Sequence, residues 1–195
     1  MRRGFKEASK RLALEVRAEL SLGYWQPLDP RDLARLYGIP VFPHEELIAN
    51  GCSAEAAAHF SHVRQATFSA ALVPHGTTRL IIENSAHADS RRSVSIAHEM
   101  SHVLLEHDFS TALLTLEGCR AVDKEIEAEA NQLGGELMIP YQAALRAARN
   151  GWDNEEVADY FGVSSAFARM RMDSSGARIV AARQRAAYQR KLARD

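Results

Sequence analysis

Residues 94–107 read VSIAHEMSHVLLEH, and within them His98-Glu99-Met100-Ser101-His102 spell H-E-x-x-H. This spacing has chemical meaning only on a helix. Residues four apart lie about 40° apart around the axis and about 6 Å apart along it, so both imidazoles can converge on one ion. Neutral imidazole is a good zinc ligand. Glu99 follows the first histidine and points in a neighbouring direction, where it can reach a water at the metal without binding the ion. The pattern therefore offers two ligands, His98 and His102, and a general base, Glu99.

Five letters are a weak signal alone, and their setting strengthens it. Val94, Ile96, Ala97, Met100, Val103, Leu104 and Leu105 make the helix apolar on most sides, which predicts burial. Two histidines and a carboxylate buried without partners would cost several kcal/mol. An ordinary core helix is thus the poorer account of these residues. His107 lies five residues beyond His102, about 140° round a regular helix, which turns it away from an ion held by His98 and His102.

A catalytic zinc site also needs a third protein ligand and an open fourth position. The next acidic cluster is KEIEAEAN at 124–131. Helical spacing by itself does not choose among Glu125, Glu127 and Glu129. Ile126, Ala130, Leu133 and Leu137 mark the buried stripe of that helix. Glu127 and Asn131 lie beside the stripe, which makes Glu127 a plausible inward carboxylate, and Glu129 lies at its other flank. A structural zinc site would instead be closed by a fourth protein ligand, for which Cys119 is the nearest candidate.

The remaining sequence supplies the scaffold. FKEASKRLALEVRAEL at 5–20 has helical spacing, and Asp29 and Pro30 open a short helix over RDLARLYG that Gly38 ends. IPVF reads as a strand that Pro40 and Pro43 confine to an edge or a strand start. Residues 44–66 are ambiguous between helix and strand. TFSAALVPHGTTRLIIEN at 67–84 is a β-hairpin with its turn at Pro74–Thr77. A helix then runs from near Asp89 or Ser90 to about His107, and a second covers 122–139, stopped by Pro140. The rest is helical, punctuated by Gly151 and Gly162. The expected fold is α+β: a mainly helical domain over 1–140, with a small antiparallel sheet beside the H-E-x-x-H helix, and a helical C-terminal region over 141–195.

Here a resemblance becomes specific. The hairpin, ENSAHADSRRSVSIAHEMSHVLLEH at 83–107 and EAEANQLGGELMIP at 127–140 resemble the ImmA/IrrE family of zinc metallopeptidases. That family shows E-x-E-A-N-x-F-A-x-x-L-L-M-P after its H-E-x-x-H helix, and the first glutamate is its third zinc ligand. The resemblance implies that Glu127 holds this role, with Asn131 and Pro140 at the matching offsets. It covers roughly 25–175, including DPRDLARLYGIPV. The chain departs from the pattern at Leu133, where the family has an aromatic residue, and at Gly134 and Gly135. Each helical glycine costs about 1 kcal/mol relative to alanine. The resemblance further implies Zn2+ as cofactor and a protein substrate, commonly a helix-turn-helix transcriptional repressor cleaved in stress response or mobile-element regulation. His62, His87, His107 and Tyr141 are candidates for stabilising the oxyanion, while His44, His59 and His75 read as surface histidines.

NEEVADYFGVSSAFARM, within 154–172, resembles a helix-turn-helix, whose second helix enters the major groove in DNA-binding domains. Packed helices closing the domain are the plainer reading, and similar segments occur in this family without DNA binding. Arg169 and Arg171 lie where at least one should turn inward. The net charge of -1 does not advertise a nucleic-acid binder, although six Lys and Arg make 174–195 basic. No apolar run reaches the ~18 residues of a membrane span, and the N-terminus lacks a signal-peptide h-region. The expected setting is the cytoplasm, where Cys52 and Cys119 remain free thiols. The alternative to an enzyme is a non-catalytic regulator of the same fold that binds DNA or a partner protein.

Overall fold

The computed structural model describes residues 1–47, 49, 68–75, 78–107 and 124–193. The ambiguous stretch beyond Leu47 other than residue 49, the hairpin residues Gly76 and Thr77, Cys52, His59, His62 and Cys119 lie outside the described residues, as does the side chain of His75. Among the described residues the chain is mainly helical, with eight α-helices and one small sheet, an α+β fold. It divides into two compact units, Met1–Ser9 with Asp29–Gly134, and Lys10–Leu28 with Gly135–Asp195. The first helix, α1 (Phe5–Glu19), passes from one into the other.

In the first unit, α2 (Pro30–Leu36) starts as its residues dictate: the Asp29 side chain accepts from the Arg31 amide at 2.9 Å, and Pro30 occupies the first turn. Three strands follow, β1 (Val41–Pro43), β2 (Ala70–His75) and β3 (Thr78–Glu83). β2 and β3 form the expected antiparallel hairpin, with Leu72 opposite Ile81. β1 adds to β3 in parallel, Val41 beside Ile81, so the sheet is mixed rather than wholly antiparallel, in the order β1-β3-β2. An edge position suits a strand ending in Pro43, which has no amide hydrogen to give to a ladder. His44 is buried at 3% exposure, contrary to its reading as a surface residue. It passes directly from β1 into a 3-10 turn (His44–Leu47), which keeps it close to the sheet rather than in an open loop.

α3 (Asp89–Leu104) packs across β2, β3 and α2. Leu72, Ile81, Leu33, Ile96, Ala97 and Met100 are buried in this layer. A charge cluster fixes where α3 begins. The buried Glu83 carboxylate at the end of β3 takes the Arg92 guanidinium at 3.0 Å and Arg31 Nε at 3.2 Å. Both arginines also reach Asp89 in the first turn of α3, at 2.9 and 3.0 Å. The Arg31 guanidinium is held above its ordinary pKa, chiefly by its hydrogen bond to Glu83. α4 (Lys124–Met138) contributes Ala130 and Leu133 to the core of this unit before running on into the second.

The second unit holds the end of α4 with α5 (Tyr141–Asn150), α6 (Asn154–Phe161), α7 (Ser165–Ser175) and α8 (Ala177–Leu192). Gly162, at φ 66°, ends α6 in the left-handed conformation that glycine adopts without strain, and Ser164 caps α7. Trp25 meets Trp152, Tyr160 and Phe161 at ring separations of 5.0–5.7 Å. Buried Arg17 donates to the carbonyls of Leu137 (2.6 Å), Gly23 and Gln26. Burial pushes Arg17 down to about 10, which leaves it charged at neutral pH, a cation beside the free carbonyls at the end of α4. No helix among the described residues is long and apolar enough to cross a membrane.

Candidate metal centre

One turn of α3 separates His98 from His102, and their Nε2 atoms stand 3.1 Å apart. Glu127, in the first turn of α4, meets both. One of its oxygens lies 3.2 Å from His98 Nε2 and the other 3.3 Å from His102 Nε2. The structure thus brings together the three residues singled out in the sequence as ligands, in a group that could hold a metal ion. The separations can be tested against an ion. With bonds of about 2.0–2.1 Å, the edges of a tetrahedron around zinc measure about 3.3–3.4 Å. The His98–His102 separation of 3.1 Å matches such an edge to within a few tenths of an ångström. The two Glu127 oxygens stand one against each imidazole at 3.2 and 3.3 Å, so two imidazoles and one carboxylate fit around an ion with a position left open.

The three glutamates of α4 are separated by their surroundings. Glu125 is exposed, its side chain at 70%. Glu127 faces the imidazoles. Glu129, a flank position by spacing, is buried and bound through both oxygens by Arg2, from Nε at 2.9 Å and Nη2 at 2.7 Å. The Arg2 hydrogen bonds are the main reason its carboxyl sits below the ordinary range. Glu99 is buried at 8% exposure, next to His98 on α3.

His107 departs most from the helical expectation. α3 ends at Leu104, three residues earlier than the sequence suggests, and Glu106 takes a left-handed φ of 54°. The His107 amide then bonds back to the His102 carbonyl at 3.1 Å. This reversal brings the His107 ring behind His102, with the two Nδ1 atoms 2.9 Å apart. On its far side His107 Nε2 faces Glu129 at 3.8 Å, an ion-pair rather than a hydrogen-bond distance. Burial lowers the pKa of His107, with the nearby Arg2 charge acting in the same direction and Glu129 opposing. Periodicity missed this contact because it assumes a helix that continues. The available signal was the polar Glu106-His107 pair closing an apolar run.

The departures from the family pattern also find a use. A Cβ on Gly134 would meet Ser101 Oγ at 3.4 Å and the His98 backbone at 3.5 Å, so the bare position lets α4 lie close against α3 beside His98. In the second unit, a Cβ on Gly135 would meet the stem of Arg171 at 3.3 Å. Arg171 turns inward, pairing with buried Glu136 at 2.6 Å and donating to the Ile139 carbonyl, while Arg169 stays exposed. Of the oxyanion candidates, His87 pairs through Nδ1 with Ser69 Oγ at 2.9 Å, and Tyr141 opens α5 under the Lys10 ammonium.

No curated protein matches the chain. The sequence model of the Peptidase_M78 family, described as the IrrE N-terminal-like domain, matches residues 52–173, which include His98, Glu99, His102 and Glu127. With a family of peptidases matched over more than half its length and a His-His-Glu group within that span, the chain belongs to the Peptidase_M78 family.

Proposed function

We propose that the chain is a zinc-dependent endopeptidase that hydrolyses a peptide bond in a protein substrate. The observation that carries this reading is the convergence of His98 Nε2, His102 Nε2 and the Glu127 carboxylate, with each imidazole within 3.3 Å of one of its oxygens. Zinc held there supplies a Lewis acid for the scissile carbonyl and makes water a competent nucleophile near neutral pH. Glu99 takes the proton of the attacking water and returns it to the leaving amine, as a general base and then a general acid. His98, His102 and Glu127 would hold the ion, and Arg31, Glu83 and Arg92 hold the helix that presents two of them.

The substrate is proposed to be a helix-turn-helix transcriptional repressor, cleaved in the cytoplasm during stress response or mobile-element regulation. This part rests on the resemblance to ImmA/IrrE peptidases. The test is incubation of zinc-loaded protein with the repressor encoded in its own gene neighbourhood, with Glu99→Gln as control. Cleavage by the wild type alone supports the reading. Repressor binding without cleavage would favour the non-catalytic regulator. For DNA, Arg171 is already engaged inside the fold, so a salt-dependent gel shift is expected to be flat.

A further inference from the structure

We infer that His107 is a positioning residue for the metal centre: its Nδ1 accepts the Nδ1–H of His102 and so fixes the tautomer that leaves His102 Nε2 bare for the ion. This rests on the metallopeptidase reading, because it concerns a ligand which that reading assigns.

The two Nδ1 atoms face each other at 2.9 Å, so a single hydrogen lies between them. His102 Nε2 faces His98 Nε2 and Glu127, and as a ligand it must carry no hydrogen. A neutral imidazole then has its hydrogen on Nδ1, which makes His102 the donor and His107 Nδ1 the acceptor. The hydrogen of neutral His107 is thereby placed on Nε2. That atom is buried without a hydrogen-bond partner among the described residues, and it faces the Glu129 carboxylate at 3.8 Å.

Glu129 is in turn clamped by Arg2 through a two-pronged contact, the geometry in which a guanidinium fixes a carboxylate best. The series His102, His107, Glu129, Arg2 leads outward from the metal group to the surface, with direct hydrogen-bond contacts between His102 and His107 and between Glu129 and Arg2, and Glu129 facing His107 across 3.8 Å. Groups behind a ligand commonly set its tautomer and ring orientation, and their loss weakens metal binding about 10- to 100-fold. The left-handed turn at Glu106 brings His107 back to His102.

Long-range 1H–15N correlation spectra of the zinc-loaded wild-type protein test the tautomer directly. The expected result is a neutral His107 with hydrogen on Nε2 and a His102 with hydrogen on Nδ1. Zinc affinity, measured by competition with a chromophoric chelator, should fall about 10- to 100-fold in His107→Phe with an unchanged circular dichroism spectrum. His107→Gln, whose carbonyl oxygen can accept the same hydrogen, should recover most of the loss. A His107 with hydrogen on Nδ1 overturns the inference, as does a folded His107→Phe protein that binds zinc as tightly as the wild type. The spectra decide the matter even where a variant does not fold. A wild-type protein that takes up no zinc overturns the metal reading and this one together, whereas normal zinc uptake with the wrong tautomer overturns this one alone.

Discussion

Gly134 presents a bare Cα to the backbone of His98, and a methyl group there would meet the His98 amide nitrogen at 3.5 Å. That is ordinary van der Waals contact, so the position accepts one carbon and no more. Gly134→Ala gains helix propensity of about 1 kcal/mol and should leave stability equal or slightly raised, with zinc affinity unchanged. Gly134→Leu must push α4 from α3. It should lower the thermal midpoint and weaken zinc binding, measured by melting and chelator competition.

Glu127 and Glu129 are two residues apart and differ in kind. Glu127→Ala removes a donor from the metal group, so its loss of zinc affinity should exceed the about 10- to 100-fold typical of a group behind a ligand. Glu129→Ala should stay within that smaller range. Titration of both variants with zinc checks the order, and a larger loss for Glu129 would place the ligand on the wrong carboxylate.

The Glu83 carboxylate sits between two arginines that are only about one-fifth exposed. Glu83→Ala removes the buried carboxylate between both cations and leaves them only the exposed Asp89 to share. Breaking such a pair from one side should cost about 3 kcal/mol in denaturant unfolding, with reduced zinc retention because α3 loses its anchor.

His107 gives the metal-free protein a pH dependence whose sign can be worked out. Burial lowers its pKa in the folded state, so as pH falls through about 6.5 the unfolded chain takes up a proton that the folded chain resists. Stability should therefore decline below about pH 6.5 and level off above it, with a slope of at most about 1.4 kcal/mol per pH unit from this residue. His107→Gln should flatten that decline. Urea unfolding of chelator-treated protein at several pH values between 5.5 and 8 measures it.

In the second unit, Arg171 and Glu136 are an ion pair, each almost wholly buried. Arg171→Met alone leaves the buried carboxylate without its cation, with only the Tyr141 amide donating to it, and should cost about 3–5 kcal/mol. Adding Glu136→Leu should restore much of that, since two apolar side chains need no compensation. Denaturant unfolding of the single and double variants tests the pairing.

Local chemistry was enough for much of this protein. Asp29-Pro30 starts a helix because an oxygen cap and a fixed φ act within a few residues, and Gly151 and Gly162 end helices for equally local reasons. The placement of His98, Glu99 and His102 follows from helical spacing alone. Other features depend on contacts across long sequence separations. Spacing left three glutamates open on α4, and the resemblance pointed to Glu127. The fold separates them, with Glu129 drawn to Arg2, 127 residues away, and Glu127 turned to the imidazoles. β1 joined the sheet in parallel because β3 offered an edge, which its own three residues could not foretell. His107 needed a helix that stops early and a backbone that reverses at Glu106. The sequence by itself determined which side chains could bind a metal, because that depends on their chemistry and helical period. Only the tertiary structure decided which carboxylate faces them and what stands behind His102, because those depend on where separate helices meet.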